Sequence, residues 1–164
     1  MKNKPIILAT DGSPIAGEAK REAFALAKAL GAPLLVVTVW NVTYTPYGPV
    51  PSGAILAFDD VKEEAERLLE SAGSEARALG LDVETILVRG IPTEEICRVA
   101  RERDAQMIVM GSHGWGPVRR FLFGSVSSAV LHDAPCAVLI APPSEEELHA
   151  AEEAEIEKRE AVPA

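Results

Sequence analysis

The 164-residue chain has little of what would tie it to a membrane, a metal or a nucleic acid. None of its apolar stretches approaches the ~20 residues that cross a bilayer as a helix. The run after Lys4 holds only six apolar or small residues, Pro5 to Thr10, and no cleavage signature follows. That is too short for a signal-peptide core, so the expectation is a cytoplasmic protein with no membrane association. There are two cysteines, Cys97 and Cys136. With no CxxC pair and no Cys/His cluster at zinc spacing, they are expected to be buried thiols in a helix and a strand rather than metal ligands. Lys and Arg number 16 against 25 Asp and Glu, a net charge of −9. A nonspecific DNA or RNA binder needs a basic face, so no nucleic-acid partner is expected. Much of the charge is local: Glu145 to Glu160 carries eight acidic residues against Lys158 and Arg159. The remainder is only mildly acidic and leaves room for an anion site.

Two phosphate-binding signatures are also missing. No GxxxxGK[ST] occurs, which excludes a P-loop. No GxGxxG follows the first strand, where a dinucleotide fold carries it; Asp11-Gly12-Ser13 stands there instead.

What is present is an Ala/Val/Leu/Ile-rich chain, 48% hydrophobic and 5% aromatic. Lys4 to Thr10 reads as a buried strand. Ser13 is the expected N-cap of a helix with Pro14 in its first turn and Gly31 at its end. Leu34 to Trp40 is a second buried strand. Asn41 to Ala54, rich in Pro and Gly, reads as irregular. Helical spacing returns from Phe58 to Leu79 and closes at Gly80. Asp82 to Val88 alternates as a third strand, and Thr93 is expected to cap a short helix with Ile96, Val99 and Ala100 inward. Gln106 to Met110 is strand four. A glycine loop, a helix over Val126 to His132 and strand five, Cys136 to Ile140, follow. The expected organisation is a nucleotide-binding domain over residues 1–143 and an acidic helical tail over 144–164.

The order βαβαβαβαβ with nearly continuous apolar strands predicts an open parallel sheet covered on both faces, with right-handed crossovers. Ligands in such sheets bind beyond the carboxyl ends of the strands, where strand order reverses. Three segments qualify: the Thr10–Gly12 turn, the residues after Val39 and the Gly111–Gly124 loop. In that loop Gly111 and Gly114 are followed, after nine intervening residues, by Gly124-Ser125. An apolar strand, a glycine loop and a helix start present backbone N–H groups and a partial positive charge to a phosphate.

Gly111-x-x-Gly114-x9-Gly124-Ser125, between a buried strand and a helix, resembles the ATP-binding signature of the universal stress protein family. The context agrees: Asp11-Gly12-Ser13 after strand one, Leu-Leu-Val-Val-Thr-Val in strand two, Gly90 before a Pro-x-x-x-Ile helix, and Ala134-Pro135-Cys136-Ala-Val-Leu139 at the last strand. The resemblance covers about Pro5 to Ala141. It implies a five-stranded Rossmann-like sheet of order 3-2-1-4-5, with ATP across strands one and four. It places Thr10 and Asp11 beside the adenosine, the Val39 main chain at the adenine edge, and Met110 and Gly111 at the ribose. It implies that Gly114, Gly124, Ser125 and Val126 hold the phosphates by backbone N–H, with a further bond from the Ser125 hydroxyl. Mg2+ would be held chiefly by the phosphates, and a homodimer would form through Cys136–Ile140.

The residues also carry plainer readings. Ser125 serves equally as a helix cap, and Asp11 as a turn residue paired with Ser13. His113 reads as a loop-stabilising or solvent-facing group. Arg119-Arg120 face either phosphates or solvent. Trp115, Phe121 and Phe123 read as loop anchors, and Trp40 either covers the site or packs. Fast phosphoryl transfer needs a protein-held metal, a charge-stabilising Lys or Arg and a group that positions the nucleophile. No P-loop lysine and no clear base are present. The expected function is therefore ATP held as a structural or signalling ligand with little or no hydrolysis. A nucleotide-independent dimeric scaffold and a slow ATPase are the alternatives.

Overall fold

Ile6, Ile7 and Leu8 have no exposed surface at all. A strand apolar on both sides must be covered on both faces, and this one sits at the centre of the sheet. In the computed structural model, which describes residues 3–41, 44–45, 48–49, 58–113 and 124–150, the main sheet has five parallel strands. They are β1 (Ile6–Ala9), β2 (Leu34–Trp40), β3 (Val83–Arg89), β4 (Met107–Gly111) and β5 (Ala137–Ala141). Their order is β3-β2-β1-β4-β5, the expected 3-2-1-4-5.

Four helices cover it: α1 (Gly17–Leu30), α2 (Phe58–Ala78), α3 (Pro92–Glu102) and α4 (Ser125–Asp133). Side chains alternate across each strand. Ile6, Leu8, Leu34 and Val36 therefore meet α1 and α2 through Ala19, Ala23, Leu69 and Ala72. Ile7, Leu35, Val37 and Ile108 meet α3 and α4 through Ile96, Ala100 and Val130. Alanine dominates the inner face of α1, which lets the helix lie close to the sheet. Ile96, Val99 and Ala100 are buried as expected.

Several boundaries differ from expectation, each for a local reason. Ser13 stands at the N-cap position with Pro14 first in the turn, as expected, but its side chain makes no cap bond. A 3-10 turn, Pro14–Ala16, precedes α1, the Ala16 N–H bonds the Ser13 carbonyl, and the Ser13 Oγ is buried without a hydrogen-bond partner. Gly31 does end α1, in the left-handed region at φ 56°. Thr93 lies inside the first turn of α3; Ile91 is the N-cap and Pro92 supplies the fixed φ at the helix start. Likewise Gly124, not Ser125, is the N-cap of α4. Strands three to five each run one residue later than their periodicity indicated, because apolar runs mark burial and not the last ladder bond. Gly111 is thus the last residue of β4, and Cys136 precedes β5. Cys97 is buried, whereas Cys136 is only half-buried; both are free thiols.

The stretch expected to be irregular contains a two-stranded antiparallel hairpin, Tyr44–Thr45 with Gly48–Pro49; residues 42–43, 46–47 and 50–57 lie outside the described residues. Residues 145–150 are helical. Ser144 and Glu147 form a reciprocal capping box there. The Ser144 N–H donates to Glu147 Oε2 at 3.0 Å and the Glu147 N–H to Ser144 Oγ at 3.2 Å. Residues 151–164 of the expected tail lie outside the described residues.

Candidate functional site

β2 lies on one side of β1 and β4 on the other, so the strand order reverses at the carboxyl end of β1. The chain leaving β1 is fixed there by a short series of bonds. The Thr10 N–H donates to the Val37 carbonyl at 3.0 Å, and Thr38 Oγ1 donates to the Thr10 carbonyl at 3.1 Å. The Gly12 N–H then donates to Thr10 Oγ1 at 3.2 Å, and the Ser13 N–H to Asp11 Oδ1 at 3.0 Å. The last bond is an Asx turn, in agreement with the plainer reading of Asp11. Gly12 has φ +70°, a conformation that favours glycine. The Asp11 residue is exposed at the tip of this turn.

On the other side of the crevice Met110 pairs with Ala9, and Gly111 with Ala141. Met110 is buried, so its side chain belongs to the core and its main chain forms the rim. Gly111 approaches the turn before α1 closely: a Cβ there would lie 3.7 Å from the Ile15 carbonyl oxygen and 3.2 Å from that of His113. Val39 lies two residues beyond Val37, the last residue of β2 paired to β1, and pairs with Val88 of β3.

The start of α4 is tied to the end of β4 at one carbonyl. Ser112 O accepts from the Gly124 N–H at 2.6 Å and from Ser127 Oγ at 2.8 Å. A Cβ on Gly124 would lie 3.3 Å from that oxygen, so glycine permits the approach. In this arrangement the Gly124 N–H, expected at the phosphates, donates to Ser112. Ser125 and Val126 occupy the first turn of α4, where N–H groups have no intrahelical acceptor. Ser125 is exposed and Val126 half-buried.

Of the nine residues expected at the site, Thr10, Asp11, Met110 and Gly111 meet at the ends of the adjacent strands β1 and β4. Gly124, Ser125 and Val126 join them through Ser112, and Val39 stands one strand away. Gly114 lies outside the described residues, as do Trp115, Arg119, Arg120, Phe121 and Phe123. His113 Nδ1 is 3.1 Å from Ser112 Oγ, as a loop-stabilising residue would be. Trp40 is half-buried, with the Arg89 guanidinium 5.5 Å from its ring centroid and Arg89 opposite it in register. That contact favours packing over covering the site.

Sequence reasoning missed Ser112, Ser127 and Thr38, all buried polar residues that fix the site's main chain. The signal for Ser127 was present: it lies three residues before the buried Val130, on the inward face of α4. It also missed Leu68, whose end packs on Gly12.

The segments Thr10–Gly12, Met110–His113 and Gly124–Val126 contain no lysine or arginine. Among the described residues there is no cluster of three His, Cys, Asp or Glu side chains able to hold a metal. Nor, among them, is any helix long and apolar enough to cross a membrane. What these segments offer is uncharged apart from one carboxylate: helix-start amides, hydroxyls, two glycines that allow close main-chain approach, and Asp11. That donor set fits a phosphorylated ligand held by backbone.

Comparison with known proteins agrees with this arrangement. The family model described as the universal stress protein family matches residues 2–142. A universal stress protein of Thermus aquaticus is 40% identical over 84% of this chain and 97% of its own. The chain spans about half the length (46%) of a Mycobacterium tuberculosis universal stress protein to which it is 34% identical over 85% of its own length. Among solved structures, the Archaeoglobus fulgidus universal stress protein in complex with dAMP is 30% identical, with TM-score 0.64 over 85% of this chain and 98% of that one. A universal stress protein in complex with cAMP is 27% identical, with TM-score 0.65 over 86% and 98% of the two chains. With the strand order, the glycine spacing and these likenesses in agreement, the chain belongs to the universal stress protein family.

Proposed function

We propose that this protein binds an adenine nucleotide, ATP in particular, in the crevice between the ends of β1 and β4, and holds it with little turnover. The observation that carries the reading is the junction at Ser112. It draws the first turn of α4 to the end of β4, beside the Thr10–Gly12 turn. The bound dAMP and cAMP of the two structural relatives support the choice of adenine nucleotides.

In this reading Thr10 and Asp11 line the adenosine, the Val39 main chain meets the adenine edge, and Met110 and Gly111 flank the ribose. Ser125 and Val126 donate N–H groups to the phosphates, and the Ser125 hydroxyl adds a bond. Gly114 belongs to the same phosphate set. Gly124 contributes by permitting close approach. Any Mg2+ is held chiefly by the phosphates. No lysine or arginine stands in the described site segments to stabilise a departing phosphate. ATP therefore serves as a structural or signalling ligand.

Three further features go with this reading. The nucleotide-binding unit spans residues 1–143, with an acidic tail over 144–164. The edge of β5, unpaired among the described residues, pairs with a second copy to form a homodimer. The two free thiols fit a reducing, cytoplasmic compartment.

Isothermal titration of ATP into the native protein and into Gly124→Val tests the binding. Heat from the native protein alone is expected. No heat from either would favour a nucleotide-independent scaffold. Rapid steady-state hydrolysis, lost on Gly114→Ala, would overturn the holding role.

A further inference from the structure

We propose that Ser127 is a positioning residue for the nucleotide site: its hydroxyl clasps the start of α4 to Ser112 at the end of β4 and sets where the first amides of α4 stand. The proposal rests on the binding reading above, and the test separates the two.

Ser127 is 2% exposed and sits on the sheet-facing side of α4. Its Oγ is 2.8 Å from the Ser112 carbonyl oxygen and 3.0 Å from that of Gly124. A hydroxyl has one proton, and the shorter of the two distances is the one to Ser112. With the Gly124 N–H at 2.6 Å, that oxygen then accepts two donors from the far end of the 113–123 segment. Ser112 is itself held, since its N–H donates to the Ala141 carbonyl at 3.0 Å, on the end of β5. The sheet, the segment's exit and the helix start are thus joined at one residue.

The consequence is directional. A serine hydroxyl that bonds only within its own helix, to the carbonyl three residues back, does not fix the helix to anything else. Here it reaches outside the helix to β4. The rotation of α4 about its axis is then set by a buried bond as well as by Val130. The N–H groups of Ser125 and Val126 point along the helix axis, and that rotation sets where around the helix end they stand. Removing the Oγ leaves only the Gly124 amide on Ser112, at a glycine that does not restrict its own backbone.

The experiment compares native protein with Ser127→Ala and, should the alanine variant fold poorly, Ser127→Cys, which fills the site but donates weakly. ATP and dAMP are titrated into each. Hydrogen exchange of residues 113–123 is followed in nucleotide-free protein, with β1 and β2 as internal reference. The expected result is a loss of affinity of about tenfold, the equivalent of one buried hydrogen bond. Faster exchange confined to 113–123 is expected with it. Unchanged affinity in a variant whose parent binds, or exchange that rises equally across the sheet, would overturn the clasp. Absence of binding by the native protein would overturn the nucleotide reading instead; faster exchange in the variant would then still uphold the clasp as a loop constraint.

Discussion

Gly12 and Leu68 occupy the same space from opposite sides: a Cβ built on Gly12 would lie 2.6 Å from both terminal methyl carbons of Leu68. The glycine is fixed twice, by its φ of +70° and by this neighbour. α2 therefore rests directly on the turn that carries Asp11.

That double constraint predicts the outcome of a mutant cycle. Gly12→Ala should destabilise the protein by about 1–3 kcal/mol, combining left-handed strain with overpacking. Leu68→Ala should relieve the overpacking and leave the strain, so the two changes should couple by about 0.5–3 kcal/mol. Urea denaturation of the four proteins measures it. Strict additivity would mean that the leucine turns aside freely.

A second relationship concerns the segment after β5. The Glu147 carboxylate pairs with Arg21 of α1 at 3.0 Å, and its Oε1 lies against Gly17, at the start of that helix. Glu147 is only 11% exposed, so a side chain at position 17 must displace it. Gly17→Ala is expected to destabilise the native protein. In a Glu147→Ala background the same change should be neutral or stabilising, because alanine is the better helix former. Thermal unfolding of both pairs reads the sign, and an equal effect in the two backgrounds would refute the docking.

The edge of β5 gives a third prediction. The Ala141 carbonyl accepts from the Ser112 N–H, so Ala141 bonds toward β4. Backbone groups alternate along a strand, which turns those of Val138 outward and those of Leu139 toward β4. Val138→Pro should leave a folded monomer, since proline is tolerated where the N–H faces away from the ladder. Leu139→Pro should break the β4–β5 ladder and unfold the protein. Sedimentation equilibrium at micromolar concentration decides, and a Val138→Pro dimer would exclude the proposed edge pairing.

Stability should also depend on alkaline pH. Burial pushes the Cys97 thiol above its ordinary value of 9.0. Cys136 shifts the same way, through burial and then through its proximity to Cys97. The unfolded chain ionises these thiols first, so their contribution is constant below about pH 8.5. It is lost as pH rises through the folded values, at up to about 1.4 kcal/mol per pH unit for each thiol. Chemical denaturation from pH 7 to 10 should show that decline, and Cys97→Ala should make it shallower.

Much of this was legible in the chain. The central strand read as buried on both sides because Ile6, Ile7 and Leu8 leave it no polar face. Gly31 and Gly80 marked helix ends because the left-handed region excludes most other residues. The glycine spacing after β4 identified the family. The caps were harder. Thr93 and Ser125 have side chains that cap helices, but a proline or a glycine one residue earlier had already set where each helix turns. Propensity ranks residues for a position; it does not say which of two neighbours occupies it.

The sequence by itself determined the parallel sheet, its order through the family resemblance, and the residues at the strand ends. Those features follow from local periodicity and from glycines whose conformations few other residues adopt. Only the tertiary structure decided which polar groups are already engaged. Ser112 and Ser127 lie fifteen residues apart, and Gly12 and Leu68 are separated by most of two helices and a strand. A bond between distant residues depends on how helix and sheet rotate against each other, and that is fixed by the summed packing of both faces. The same packing directs the Gly124 amide to Ser112 and leaves those of Ser125 and Val126 in the first turn, without acceptors inside their own helix.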